Sequence, residues 1–276
     1  MMVEIDKLQF FVKRKANSGT TKPVVFLHGF TGSSFDWKFL FDKLPERFEP
    51  IAIDLLGHGK TSSPNKVEKY ITLKQVDYLD KILSKLNIQK PILVGYSMGG
   101  RLAMSYLLSF PQKVNSIVLE STSFGLKTKI NRIERINSDN VLANKIMNFS
   151  IEEFVEFWKN IPLFDSQKKL SLLEREQQTE NKIRTNNVIG LTNSLLGFGT
   201  GNMNNYFNEL ENVNTEILLI SGILDSKFTE IAIEANSLLP NSHHTIIGDA
   251  GHNVHLEKPE EFLKLLSSFL LKNIKN

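Results

Sequence analysis

Pro91-Ile92-Leu93-Val94-Gly95-Tyr96-Ser97-Met98-Gly99-Gly100-Arg101-Leu102-Ala103-Met104 runs from an apolar stretch, through a glycine-flanked serine, into a helix-forming stretch. Strand, sharp turn and helix therefore meet on Ser97, which is the layout of a nucleophile elbow. The turn forces the serine backbone into a sparsely allowed conformation. Glycines two residues before and two after it keep neighbouring side chains out of the way. The hydroxyl is then exposed at a strand end. The five-residue pattern is weak alone, but here it carries the strand and helix that it demands.

A serine hydroxyl becomes a useful nucleophile or base only when an imidazole takes its proton and a carboxylate orients that imidazole. Downstream, Glu216-Ile217-Leu218-Leu219-Ile220-Ser221-Gly222 reads as a buried strand leading to Asp225, and Thr245-Ile246-Ile247 leads to Ala250-Gly251-His252. The order Ser97, Asp225, His252, each just after a strand, is the one that α/β-hydrolases use. His28 and His58 sit in turns where a ring braces a loop, and His243, His244 and His255 lack a glycine-flanked strand-end position. Asp249 is the rival acid, but it lies close to His252 on one loop. An oxyanion needs donors already aimed at it. The Met98 amide at the helix start is one, and the Phe30 amide, in His28-Gly29-Phe30-Thr31-Gly32 after Val24-Val25-Phe26-Leu27, is the expected second.

Working outward, strands are expected near 24–27, 50–54, 92–94, 116–120, 217–221 and 245–247, with helices over 34–44, 72–86 and 98–109 and an apolar-faced helix from Phe262 to Leu270. The strands are continuous apolar runs, as in a parallel sheet covered on both faces. Val3 to Lys13 reads as an antiparallel edge. The fold class is α/β, an α/β-hydrolase with a mostly parallel central sheet and an inserted helical cap. The core takes residues 1–121 and 209–276, and the cap, where the strand pattern disappears, takes 122–208. Such a cap closes over the serine, excludes water and selects the substrate. It carries Arg132, Arg135, Arg175 and Arg184. Arg101 lies one helical turn beyond Ser97, at a helix start that favours anions, which suggests a carboxylate-bearing substrate.

The 276 residues are 41% hydrophobic and 23% charged and include no cysteine, which excludes a disulfide framework, a thiol nucleophile and thiolate metal sites. Lys and Arg number 33 against 30 Asp and Glu, a net charge of +3 too small and scattered for nucleic acid. No histidine and carboxylate cluster has metal-ligand spacing. The N-terminal residues lack a basic start with an apolar stretch behind it, and no apolar run reaches membrane-spanning length. The expectation is a cytoplasmic monomer with no membrane insertion, no metal and no cofactor.

Across nearly its whole length the chain resembles the 2-succinyl-6-hydroxy-2,4-cyclohexadiene-1-carboxylate synthase family of menaquinone biosynthesis, within the α/β-hydrolase superfamily. The resemblance rests on Phe26-Leu27-His28-Gly29-Phe30-Thr31-Gly32-Ser33, on Asp54-Leu55-Leu56-Gly57-His58-Gly59 and on Gly95 to Arg101, which many hydrolases share in part. More specific are Leu119-Glu120-Ser121-Thr122, Phe157-Trp158-Lys159-Asn160-Ile161-Pro162-Leu163-Phe164, Gly190-Leu191-Thr192-Asn193-Ser194-Leu195 and Asp225-Ser226-Lys227-Phe228. The family's triad does not hydrolyse an ester. It abstracts a proton from a cyclohexene tricarboxylate and so triggers 2,5-elimination of pyruvate. The resemblance implies Ser97 as base, His252 as its activator, Asp225 as orienter, and the Phe30 and Met98 amides as the oxyanion hole. It implies Arg101, Arg135 and Arg184 as carboxylate clamps, with Arg175 the alternative to Arg184 in a shifted alignment, and Tyr96 and Trp158 as pocket walls. One departure is Asn202-Met203-Asn204-Asn205-Tyr206, where the family carries glutamine and tryptophan. Two readings of the residues stay open beside it: a carboxylesterase or carbon–carbon bond hydrolase using the same triad, and a non-catalytic receptor on the same fold. A haloalkane dehalogenase is ruled against, because it needs a carboxylate where Ser97 stands.

Overall fold

The computed structural model describes residues 1–15 and 21–273. Its eight strands are β1 (Met2–Ile5), β2 (Leu8–Arg14), β3 (Lys22–Leu27), β4 (Phe48–Ile53), β5 (Ile92–Tyr96), β6 (Ser116–Glu120), β7 (Glu216–Gly222) and β8 (Ser242–Ile247). They form one sheet in the order β1-β2-β4-β3-β5-β6-β7-β8. From β4 to β8 every pairing is parallel, and β1 and β2 add an antiparallel edge. The helices are α1 (Thr72–Lys85), α2 (Met98–Ser109), α3 (Lys129–Asn148), α4 (Ile151–Lys159), α5 (Leu172–Thr185), α6 (Val188–Phe198), α7 (Ser226–Leu238), α8 (Val254–Glu257) and α9 (Pro259–Lys272).

The continuous apolar strands have the cause read from the sequence: both faces of the sheet are covered. Val25, Leu27, Ile51, Leu93, Ile117 and Leu119 pack with residues of α1, α2 and α7. Val24, Phe26, Val94, Val118 and Leu218 pack on the other face with Trp37, Leu40 and the α9 residues Phe262 and Leu266. Between β6 and β7 the described chain forms α3 to α6 and short 3₁₀ turns, with a small apolar cluster of its own around Ala143, Ile146, Phe154, Leu191 and Leu195. No helix among the described residues is long and apolar enough to cross a membrane.

Two local expectations need correction and a third gains detail. The helix expected over 34–44 is a 3₁₀ run, Ser34–Leu40, whose buried residues Ser34, Trp37 and Leu40 recur every third position. That is the period of a 3₁₀ helix, and it lays all three on the sheet. The antiparallel edge expected from Val3 to Lys13 is present and takes the form of a hairpin, because Asp6 and Lys7 both take positive φ (50° and 65°), as a tight two-residue turn requires. Strand β8 begins three residues before Thr245, at Ser242. It is the sheet's last strand and half-exposed, so its first residues are polar and break the apolar run.

Candidate active site

Strand β5 ends at Tyr96, and Ser97 follows with φ 49° and ψ −103°, outside the regions that side chains ordinarily adopt. Close packing makes that turn possible: a Cβ on Gly99 would stand 2.0 Å from the Leu27 carbonyl oxygen, and one on Gly95 would stand 2.6 Å from the Gly100 amide. The Ser97 amide donates to the Glu120 carbonyl of neighbouring β6 (2.8 Å), which fixes the elbow to the sheet.

His252 follows β8 and Asp225 follows β7 at the N-cap of α7. His252 Nδ1 donates to Asp225 Oδ2 at 2.6 Å, so Nε2 is the face that accepts, and it lies 3.1 Å from Ser97 Oγ. Both partners of the serine are buried, His252 to 2% and Asp225 to 7% exposure. Asp249 is exposed and bonds Lys169 and Lys258 instead. His28 braces two loops: its Nε2 accepts from the Leu55 amide and its Nδ1 donates to the Gly29 carbonyl. Burial pushes its imidazole down to about 4 and that of His58 down to about 3.

A cavity of about 280 Å³ opens over Ser97 and His252, and Phe30, Tyr96, Met98, Arg101, Arg135 and Trp158 line it too. Met98 is the first residue of α2, where no helical carbonyl stands behind its amide. The turn of the neighbouring loop closes from the Gly32 amide to the Gly29 carbonyl, leaving the Phe30 amide out of that bond. The Trp158 indole N–H is buried without an acceptor among the described residues. Burial, with Glu120 next, raises the Tyr96 phenol, which stays neutral and able to donate. Arg101 donates to the Phe198 carbonyl (2.5 Å) and lies over the Phe198 ring. Burial and the neighbouring Arg135 push its guanidinium down to about 9, against the pull of Asp139 and Tyr206. Arg135 pairs with Asp139 at 2.8 Å from α3.

Arg184 is not in this cavity. It sits exposed in the last turn of α5 and reaches Asn181 Oδ1 at 3.4 Å. Arg175 lies on α5 beside a separate cavity, and Arg132 donates to the Gly201 carbonyl. The physical reason is that no residue of α5 lines this cavity. Helix phase then sets Arg184 apart from the separate one: Arg175 and Lys182, seven residues apart, share the α5 face that lines it, whereas Arg184, two beyond Lys182, points off another. The cation that the sequence reading passed over is Lys227, which lines the cavity. It stands two residues after Asp225, inside a stretch already singled out, so its position was the available signal. Among the described residues no Asp or Glu lines the cavity. Also unread was the buried pair behind it: Glu120 Oε2 accepts from His255 Nδ1 (2.7 Å) and Oε1 from the His255 amide (2.9 Å). That pair pins the start of α8 three residues beyond His252. Among the described residues no group of three His, Cys, Asp or Glu is placed to hold a metal ion.

The α/β hydrolase fold family model matches residues 22–259. A protein of Bacillus subtilis (strain 168), provisionally named 2-succinyl-6-hydroxy-2,4-cyclohexadiene-1-carboxylate synthase, is 45% identical over 250 residues, 91% of this chain and 90% of its own length. The synthase of that name from Enterobacter sp. (strain 638) is 29% identical over 258 residues, 92% of this chain and 93% of its own. The solved structure of MenH from S. aureus superposes with a TM-score of 0.91 at 32% identity, covering 96% of this chain and 99% of that one. With its elbow, its strand-end residues and these likenesses, the chain belongs to the 2-succinyl-6-hydroxy-2,4-cyclohexadiene-1-carboxylate synthase family of the α/β hydrolases.

Proposed function

We propose that this enzyme eliminates pyruvate from 2-succinyl-5-enolpyruvyl-6-hydroxy-3-cyclohexene-1-carboxylate to give 2-succinyl-6-hydroxy-2,4-cyclohexadiene-1-carboxylate, a step of menaquinone biosynthesis. The observation that carries this reading is the lining of the cavity: a serine–histidine–aspartate chain faced by Arg101, Arg135 and Lys227, with no Asp or Glu among the described residues of the wall. A tricarboxylate needs several cations, and an ordinary ester does not.

Ser97 is the base in this scheme. The ring proton at C2 is acidified by the adjacent succinyl ketone. As Ser97 Oγ takes it, Oγ passes its own proton to His252 Nε2, and Asp225 steadies the imidazolium. The electron pair of C2–H forms C2=C3, the ring double bond moves to C4=C5, and the C5–O bond breaks. Pyruvate leaves as its enolate and takes up the proton. The Phe30 and Met98 amides hold the ketone oxygen as charge develops on it. The buried Arg101 pairs with one carboxylate, Arg135 with a second and Lys227 with the third. Tyr96 and Trp158 donate from the walls, and the helices between β6 and β7 act as a cap that excludes water. The elimination is redox-neutral and transfers no group to a second substrate, so this scheme needs no cofactor.

Pyruvate release tests this directly. Substrate is made in situ from isochorismate and 2-oxoglutarate by the preceding thiamine-diphosphate enzyme, with simple ester hydrolysis as the control. The expected result is rapid release that Ser97→Ala abolishes without lowering Tm, and little ester cleavage. Brisk ester cleavage with no acceleration of elimination would replace this reading with a carboxylesterase.

A further inference from the structure

Among the described residues a second cavity, of about 420 Å³, lies between the Pro162–Lys169 turn and α5. Its wall is part apolar, through Leu170, Leu172 and Ile183, and part cationic. Lys159 and Lys168 are already paired, with Glu156 and Asp165, both at 2.6 Å. Arg175 and Lys182, also in the wall, make no ion pair among the described residues. Asp36 is the charged group whose field reaches Lys182, and Glu176 and Glu180 are the acids that line the cavity. The Gln167 side-chain amide lines it too, and its Nε2 is buried with no acceptor. An unpaired buried donor is free to bond an acceptor that enters the cavity.

Phe164 belongs to the walls of both cavities. It stands at the kink of the Pro162–Lys169 turn, with φ −113° and ψ 16°. Its ring lies 6.1 Å from the His252 ring and 5.6 Å from the Lys182 ammonium. One aromatic side chain thus separates the catalytic imidazole from an unpaired cation.

We propose that this second cavity is a carboxylate-binding anteroom. It holds one carboxylate of an amphiphilic anion on Lys182, Arg175 and the Gln167 amide before the molecule passes Phe164 to reach Ser97. The occupant is taken to be the tricarboxylate of the proposed reaction, and to that extent the inference rests on that reading. Anion binding at the site does not depend on turnover.

The test uses the full ¹⁵N-labelled chain, succinate as the probe and uncharged succinamide as the control, and follows the Gln167 side-chain amide and the Trp158 indole N–H by NMR. Succinate is expected to shift the Gln167 signals and succinamide is not. Lys182→Met should weaken the Gln167 response at least about tenfold, as loss of a charge-assisted bond does. Arg175→Met, at an exposed position that folding does not need, should weaken it by a smaller factor. A Gln167 amide that stays unmoved, with or without a shift at Trp158, overturns the proposal. So does a Gln167 shift that both variants leave intact or that succinamide reproduces. Should pyruvate elimination fail while succinate still shifts Gln167, the anteroom stands and only the identity of its occupant falls.

Discussion

Arg101 and Arg135 face the same cavity from two different kinds of scaffold. Arg101 sits on α2, where every residue from Met98 to Leu107 is buried. Arg135 sits on α3, a helix of 20 residues in which only Asp139, Ala143 and Ile146 are buried and Ile130, Ile133, Val141 and Met147 stand exposed. The sheet and α2 are held on two broad apolar faces, whereas α3 and α4 rest on one small cluster shared with α6, which alone of the helices between β6 and β7 also reaches the main core, through Phe198. Groups that must meet within hydrogen-bond distance, Ser97, His252 and Asp225, all sit on the first scaffold. Three further residues of the cavity wall, Trp158, Arg135 and Phe164, sit on the second. Fewer buried contacts mean a lower cost of local opening, which suits the cap role proposed for these helices.

The largest expected effect lies in the rigid half. Asp225→Asn keeps the N-cap that Asp225 gives α7, because asparagine caps equally well, but it no longer holds the Nδ1–H tautomer of His252. Elimination should fall by about 10⁴, roughly 5 kcal/mol, with Tm unchanged. A loss under about tenfold would break the idea that the strand-end chain acts as one unit.

Next comes acid stability, which also belongs to the sheet half. His28 and His58 stay neutral in the folded protein down to about 4 and about 3, whereas in the unfolded chain they take a proton near 6.5. Below pH 6.5 the unfolded state therefore binds more protons, and stability falls as pH falls. Between pH 7 and 5 each histidine costs about 2 kcal/mol. The carboxyls of Asp36 and Asp139, raised by burial, offset part of this. Urea unfolding at fixed ionic strength should show a net loss of about 2–4 kcal/mol. Equal stability at the two pH values would show that these rings are not held neutral.

The smallest effects sharpen the comparison itself. Arg101→Met should lower kcat/KM by about 100-fold and Arg135→Met by about tenfold, because only the first cation is both buried and fixed. Equal losses would mean that the helical segment is as rigid around substrate as the sheet.

Legibility followed the same division. Ser97, Asp225 and His252 could be read because a parallel sheet delivers each of its strand ends to one edge, and each residue follows an apolar run with a glycine nearby. Arg184 and Lys227 show the converse. Both were visible as residues, but which one faces the cavity depends on where their helices lie: α7 starts at a strand end beside Ser97, whereas no residue of α5 reaches that cavity. The Glu120–His255 pair was hidden for a related reason: its 135-residue separation is closed only by β6 and the start of α8 meeting.

By itself the sequence determined the strand run, the elbow, the strand-end placement of Ser97, Asp225 and His252 and the family, since these rest on local patterning and on chemistry tied to residue type. The tertiary structure alone decided which cations share the cavity with Ser97, that Arg175 and Lys182 line a second one, and that Phe164 divides the two. Those outcomes depend on packing between distant helices with little burial to fix them, and no short stretch of sequence encodes such packing.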